Sequence, residues 1–256
     1  MLILDVFIKR KKMNIKYYLP LMILLFLIGC SKTPKELFEL VDQDLKQDNS
    51  TQAIDNLKLL ITKYPKDSLA SKAQYKLASV YLNWEDQISP GYKALENTVN
   101  NYPKTIHAKQ AQKEIERFPK FLVDKAESLR KQKKLKESVE HLMFLINNYS
   151  NNEIASKGQY MLGDLYMNDF RDFKTAIQEY RKVIENYKGS SQEPHALFMI
   201  GYVYANVVND TKSAKVEYEK FIERFSEHEL APSVKFELEY LGKGIDEIPA
   251  LKHITS

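Results

Sequence analysis

The sequence has 256 residues, of which 44% are hydrophobic and 28% are charged, and these proportions are typical of a folded chain. The formal net charge is +4, but residues 1–30 hold five of the 38 basic side chains and one of the 34 acidic ones, so the remainder carries 33 of each. A neutral body argues against nucleic-acid binding, because proteins of that class gain most of their affinity by neutralising phosphates.

Residues 1–29 are predicted to form an export signal. Basic residues are followed by an apolar run of eleven residues. A membrane-spanning helix needs about 20 residues, whereas this length is typical of a signal peptide. Met13 is a second possible start, because the segment that follows it is a compact signal by itself. The alternative is an uncleaved anchor.

The signal ends in Leu-Ile-Gly-Cys at residues 27–30. This pattern resembles the bacterial lipobox, in which the cysteine is diacylated and becomes the new N-terminus. Cys30 is the single cysteine of the chain and is therefore the expected lipidation site. By resemblance to proteobacterial lipoproteins, Ser31 in place of aspartate favours transfer to the outer membrane, with the chain on its periplasmic face.

An internal repeat organises the remaining sequence. Aromatic residues close five amphipathic runs at intervals of 38, 47, 38 and 38 residues, namely Tyr64, Tyr102, Tyr149, Tyr187 and Phe225. Eleven residues before each aromatic stands a small residue, and a large residue follows four positions later on the same helical face. The pairs are Ala53 and Leu57, Gly91 and Leu95, Ser138 and Leu142, Ala176 and Tyr180, and Ala214 and Tyr218.

A second motif keeps the same register. The pattern aromatic-x-aliphatic-small-x-x-Tyr begins at Tyr75, Tyr160 and Phe198, and its small residue lies 13 positions before the small residue of the next run each time. The two motifs together resemble the tetratricopeptide repeat (TPR), with a period of 38 instead of 34 residues. The resemblance implies an all-α, TPR-type α-solenoid of about five helix-turn-helix repeats with a C-terminal capping helix.

The helices of this solenoid are predicted over residues 34–242, after a lipidated N-terminus and short linker at 30–33 and before a tail at 243–256. Small residues let paired helices approach closely, and large residues fill the space beside them. Pro119 is expected to break the chain between two helices. The predicted helices are 34–47, 51–64, 68–83, 89–102, 105–117, 120–132, 135–149, 153–168, 172–187, 193–207, 210–225 and 231–241.

The first helix of each repeat should line a concave groove that binds protein partners. The TPR pattern places at the groove Lys72, Tyr75, Asn83, Lys157, Tyr160, Asp164, Asn168, His195, Phe198, Tyr202 and Asn206, together with Ser79. Aromatic and amide side chains could hold an extended peptide. Two alternatives stay open: the aromatic side chains pack between helices, and the asparagines end helices in a left-handed conformation.

A dense basic cluster lies at residues 130–136, joined by Lys120 and Lys125. It could contact anionic head groups or an acidic partner, or it could be a solvated turn. Five histidines are scattered without the spacing of a metal site, and the motifs of nucleophilic, phosphate-binding and dinucleotide-binding enzymes are missing from the sequence. We therefore expect no enzyme activity, metal, cofactor or small-molecule substrate.

The lipobox, the mature length and the Tyr-Pro ends of two repeats resemble the BamD-type lipoprotein family. That resemblance implies a scaffold on the periplasmic face of the outer membrane. Its partners would be a POTRA-bearing barrel of the β-barrel assembly machine and unfolded barrel substrates. Two alternatives remain: a CpoB-like scaffold that coordinates cell division with peptidoglycan synthesis, and a scaffold of a secretion or gliding apparatus.

Overall fold

The computed structural model describes residues 31–244 and Glu247. This part of the chain is all-α, with eleven α-helices and no strand, so the predicted fold class is confirmed. The export signal, Cys30 and most of the predicted tail lie outside the described residues. Within the described residues, no helix is both long and apolar enough to span a membrane.

Ten helices form five antiparallel pairs, and the eleventh packs on the last pair. In chain order they are α1 (Pro34–Lys46), α2 (Ser50–Lys63), α3 (Ala70–Asn83), α4 (Ile88–Asn101), α5 (Ile106–Lys131), α6 (Leu135–Asn148), α7 (Glu153–Leu165), α8 (Phe173–Asn186), α9 (Gln192–Asn206), α10 (Thr211–Arg224) and α11 (Ala231–Tyr240). A π-helical turn, Tyr166–Phe170, extends α7.

Side-chain caps fix where several helices begin. Thr33 forms a capping box with Glu36 at the start of α1. The side chains of Thr105, Asp172 and Asp210 each accept a hydrogen bond from a backbone N–H in the first turn of α5, α8 and α10. These N–H groups have no partner within the helix, so each cap stabilises the helix start.

One residue in the turn of every helix pair adopts the left-handed conformation. The five residues have φ between 50° and 61° and are Asp48, Asp86, Lys133, Arg171 and Asn209. Their spacing repeats the intervals between the aromatic residues that close the five runs of the sequence. The expectation that Asn83, Asn168 or Asn206 takes this conformation is wrong, because each lies one helical turn earlier, where the backbone is still helical.

The predicted break at Pro119 does not occur, and α5 runs without interruption through 26 residues. Proline has no N–H and cannot bond to the carbonyl of Ile115. Ala111 precedes that missing bond and Leu122 follows it, and both are buried together with Phe118 and Pro119, so packing on both sides stabilises the continuous helix. The extra residues between Tyr102 and Tyr149 therefore add about two and a half turns to α5.

In repeats four and five, the close approach of the paired helices depends on a glycine that faces a tyrosine. A Cβ atom at Gly163 would lie 2.6 Å from Cδ1 of Tyr180, and one at Gly201 would lie 2.5 Å from Cε1 of Tyr218. Both tyrosines are fully buried. The small residues of the first helices therefore face the large residues of the second, as the repeat pattern predicts.

The helix contacts define the two faces of the solenoid. Successive first helices contact one another from α3 to α5, from α5 to α7 and from α7 to α9, more extensively than successive second helices do. The first helices therefore lie on the inner side of the curve. The helices that carry the predicted groove residues, α3, α7 and α9, are among these first helices.

Candidate functional site

The predicted groove residues lie on α3, on α7 with its π-helical turn, and on α9. The lysines and asparagines of the set are exposed, whereas its aromatic side chains, His195, Asp164 and Ser79 are half-buried. The aromatic side chains are thus partly packed against neighbouring helices and partly accessible, which is compatible with both interpretations left open by the sequence.

In repeat two, the groove residues are joined to neighbouring repeats. The Tyr75 hydroxyl donates a hydrogen bond to Glu114 on α5. Burial and this carboxylate raise the pKa of Tyr75 to about 12, so the hydroxyl remains protonated at neutral pH. The Lys72 Nζ lies 4.6 Å from the centroid of the Phe38 ring on α1, which is within cation–π range.

In repeat four, Tyr160 lies between two other rings. Its ring centroid is 5.4 Å from that of Tyr180 and 6.3 Å from that of His195. Beside it, the Tyr180 hydroxyl donates a 2.6 Å hydrogen bond to the Asp164 carboxylate. Burial raises the pKa of Asp164, and the bond from Tyr180 and the nearby charge of Arg130 oppose that shift.

Replacing Tyr180 with phenylalanine tests this contact. The ring would keep its packing against Gly163, but the half-buried Asp164 would lose its hydrogen-bond donor. We expect a loss of about 1–3 kcal/mol in the free energy of unfolding, measured by chemical denaturation. A Tyr160→Phe variant is the control, because no hydrogen bond of the Tyr160 hydroxyl is found in the described part of the chain. An equal loss in both variants would contradict a role for the bond.

In repeat five, an aromatic row continues along α9. The Phe198 ring centroid lies 6.3 Å from that of Tyr202 on the same helix and 6.3 Å from that of Tyr218 on α10. His195 stands one turn earlier, and its Nδ1 is 3.0 Å from the Ser191 carbonyl oxygen. Nδ1 therefore donates, and Nε2 is the nitrogen left to accept a hydrogen bond.

The three groove asparagines hold defined orientations. The Nδ2 of Asn168 donates to the Asp164 carbonyl at 3.1 Å, and that of Asn206 donates to the Tyr202 carbonyl at 3.4 Å. The Nδ2 of Asn83 donates to Ser79 Oγ at 3.2 Å. Across residues 31–244, no hydrogen bond to their Oδ1 atoms is found, so these oxygens can accept from a bound peptide backbone.

The basic cluster at 130–136 is neither a free cationic patch nor a purely solvated turn. Arg130 Nε lies 2.6 Å from Asp169, and Lys133 also pairs with Asp169 at 3.2 Å. Lys125 and Lys134 pair with Asp86 at 2.6 Å and 3.6 Å. The cluster therefore connects the turns of three successive repeats, because its acidic partners stand in the turns on either side.

Folding also brings together two histidines that the sequence shows as unrelated. The ring centroids of His195 and His228 are 5.4 Å apart. A ring nitrogen of each histidine and a carboxylate oxygen of Glu229 all lie within 4.8 Å of one another. However, His228 Nδ1 accepts a 3.2 Å hydrogen bond from the Leu230 N–H. The neutral ring then carries its proton on Nε2, so this trio is not arranged to bind a metal ion.

An open cleft was missed by sequence reasoning. It has a volume of about 720 Å³ and is lined by residues 150–154, Ser156, Lys157 and 186–192. Two turns from neighbouring repeats form it, and only Lys157 belongs to the predicted groove set. The serines and asparagines that line it are ordinary turn residues. The one feature of the sequence that could have indicated the cleft is the recurrence of these residues from one repeat to the next.

Comparison with known families identifies the chain more closely than its geometry does. The model of the YfiO family, described as outer membrane lipoprotein, matches residues 30–168, which is more than half of the chain. The chain belongs to this outer membrane lipoprotein family. A tetratricopeptide repeat model matches residues 158–190 and 195–228, so the TPR interpretation is confirmed as well. No curated protein matches the chain.

Several solved structures of helical repeat proteins are similar to this member of the family. MamA is 16% identical, with a TM-score of 0.36, over 73% of this chain and 95% of that one. YrrB, described as a TPR protein with an unusual peptide-binding site, is 16% identical, with a TM-score of 0.35, over 80% and 92%. PilF of Pseudomonas aeruginosa is 13% identical, with a TM-score of 0.34, over 87% and 96%.

Proposed function

We propose that this lipoprotein is anchored by acyl chains on Cys30 to the periplasmic face of the outer membrane. There it serves as a scaffold that binds segments of partner proteins in its concave groove. The most specific role we infer is BamD-like, in the assembly of outer-membrane β-barrel proteins. Its partners would be a POTRA-bearing barrel and unfolded barrel substrates, and the proposal assigns no catalytic step to the chain.

The observation that carries this proposal is the extent of the family match. It begins at residue 30, the cysteine of the lipobox, and continues to residue 168, the last groove residue of repeat four. The match thus covers both the expected anchor and the residues predicted for the groove in repeats two and four. A scaffold needs both features on one chain, because the anchor sets the location and the groove supplies the binding surface.

The groove has the chemistry that an extended peptide requires. Half-buried rings at Tyr160, Phe198 and Tyr202 present flat apolar area at a low cost in side-chain entropy. The asparagine Oδ1 atoms, farther along the same helices, can accept backbone N–H groups. Lys72 and Lys157 are exposed near the start of α3 and α7 and can meet carboxylates of the partner.

Affinity purification tests the proposed partners. The tagged lipoprotein is isolated from detergent-solubilised envelope, and the proteins that accompany it are identified by mass spectrometry. We expect stoichiometric recovery of a POTRA-bearing outer-membrane barrel. Recovery of peptidoglycan synthases, division proteins or secretion subunits without that barrel would instead favour a CpoB-like or secretion scaffold.

A pair of variants tests whether the groove holds the partner. Changing Tyr202 and Asn206 to alanine removes a ring and an amide from the concave face. We expect recovery of the partner to fall at least about tenfold, since a central aromatic contact is worth roughly 1–2 kcal/mol or more. Val216→Ala on α10 is the control, because Val216 is 49% exposed on a second helix. Equal recovery with all variants would place the interface outside the groove.

A further inference from the structure

The connection between the expected anchor and the first helix is short and fixed at its end. Three residues separate Cys30 from α1, so the Cα atoms of Cys30 and Pro34 are at most about 14 Å apart. The Tyr64 hydroxyl donates a 2.9 Å hydrogen bond to the Lys32 carbonyl. The capping box at Thr33 then fixes the direction in which the chain enters α1.

This geometry selects one edge of the solenoid. Because paired helices are antiparallel, the start of α1, the turn 64–69 and the turn 102–105 all lie at the same end of the helices. We call the start of α1 and these two turns, with the flanking residues Lys63 and Ile106, the anchor edge. Acyl chains on Cys30 would hold this edge against the lipid surface, while the turns within the pairs point away from it.

The anchor edge is basic. Four exposed lysines of this edge form no ion pair with any residue in the described part of the chain, 31–244 and Glu247. They are Lys32, Lys63, Lys66 and Lys104. A fifth, Lys35, is paired with Glu39 at 3.8 Å. Of the acidic residues here, Glu36 accepts from the Thr33 N–H and Asp67 accepts from the Leu69 N–H. The turn 225–230, at the far end of the same edge, carries Glu227 and Glu229 instead.

The anchor edge also exposes apolar and aromatic side chains. Ile106, the first residue of α5, is 64% exposed, the largest exposed fraction among the large hydrophobic side chains of the described residues. Tyr64 and Tyr102 stand half-buried on the same edge, in two Tyr-Pro-Lys turns. Lysine, tyrosine and an exposed aliphatic residue are the side chains found where proteins meet a lipid surface.

We propose that the anchor edge is a second membrane contact, which binds the anionic head groups of the leaflet holding the acyl chains and inserts Ile106 at their level. The inference rests on the proposed lipidation of Cys30. This contact fixes the orientation of the scaffold, with the helix axes of repeats one to three roughly perpendicular to the membrane plane. The turns that contain Asp86 and Lys133 then face away from the lipid.

A tryptophan quenching experiment tests this orientation. Trp84, the single tryptophan, follows the end of α3, about 20 Å from the anchor edge along the helix axis. The lipidated protein is reconstituted in vesicles of brominated phosphatidylcholine with and without phosphatidylglycerol. We expect several-fold stronger quenching in the Ile106→Trp, Trp84→Phe variant than for Trp84 in the unmodified protein, and stronger quenching when phosphatidylglycerol is present.

Charge variants test the role of the lysines. Lys63→Gln, Lys66→Gln and Lys104→Gln together should remove the dependence on phosphatidylglycerol, since each lysine near an anionic surface contributes roughly a fivefold factor to binding. The matched control changes three exposed lysines at the opposite edge, Lys46, Lys131 and Lys212, to glutamine and should leave quenching unchanged.

Two results would overturn the proposed contact while the protein floats with the vesicles. In the first, Trp84 is quenched as strongly as a tryptophan at position 106. In the second, quenching at position 106 is the same with and without the three lysine substitutions. Either result leaves the anchor and the groove proposals standing. A protein that fails to float with the vesicles would overturn the lipid anchor itself.

Discussion

Replacing Gly163 with leucine is expected to disrupt repeat four. A Cβ atom at this position would already lie 2.6 Å from two ring carbons of Tyr180, and that ring is fully buried. The helix backbone cannot retreat without separating α7 from α8. Overpacking a core costs about 1–3 kcal/mol, and a leucine at this crossing should reach about 3 kcal/mol or more in the free energy of unfolding.

The measurement is thermal and chemical denaturation of the variant beside a control on the same helix. Lys157→Leu adds the same side chain at an exposed position of α7 and should leave the melting temperature nearly unchanged. Ala176→Phe, which overfills the same interface from α8, should resemble Gly163→Leu. Unchanged melting of both Gly163→Leu and Ala176→Phe would contradict the register of the repeat.

Replacing Cys30 with alanine is expected to release the protein from the membrane. Acyl chains contribute about 0.8 kcal/mol for each buried CH₂ group, so two or more chains account for nearly all membrane attachment. The lysines of the anchor edge contribute much less and are screened by salt. We therefore expect the Cys30→Ala protein in the soluble fraction at physiological ionic strength, with an unchanged melting temperature.

Fractionation of the envelope checks this result, and incorporation of radiolabelled palmitate checks its cause. The unmodified protein should carry the label and the variant should not. A Cys30→Ala protein that stays in the membrane fraction after a salt wash would refute the lipid anchor. A variant that is soluble but melts at a lower temperature would show instead that the cysteine contributes to folding.

The sequence predicted the repeat fold because the determinants of the fold are local. Gly163 and Tyr180 have the same spacing in the sequence as Gly201 and Tyr218, and one helical pair is enough to bring each glycine to its tyrosine. The aromatic ends of the second helices and the left-handed residues of the turns follow the same intervals. The helix bounds were therefore predicted to within a few residues, except at Pro119.

The groove itself stays a prediction, but the helices that carry its residues were predicted correctly. The TPR pattern assigns these residues to first helices, and helix assignment needs local information alone. Their bonding was not predicted. Tyr75 pairs with Glu114, which belongs to a different helix pair, and the asparagines bond back along their own helices instead of taking the left-handed conformation.

The sequence by itself determined the repeat register and the fold class, since each depends on the spacing of residues within one helix pair, and it predicts the anchor from one signal. The tertiary structure alone decided which charges are paired, that α5 continues through Pro119, and which edge carries free lysines. These features depend on contacts between neighbouring repeats, whose stacking sets which side chains meet. Arg130 and Asp169 belong to different repeats, yet their side chains lie 2.6 Å apart, and only the packing of those repeats brings them together.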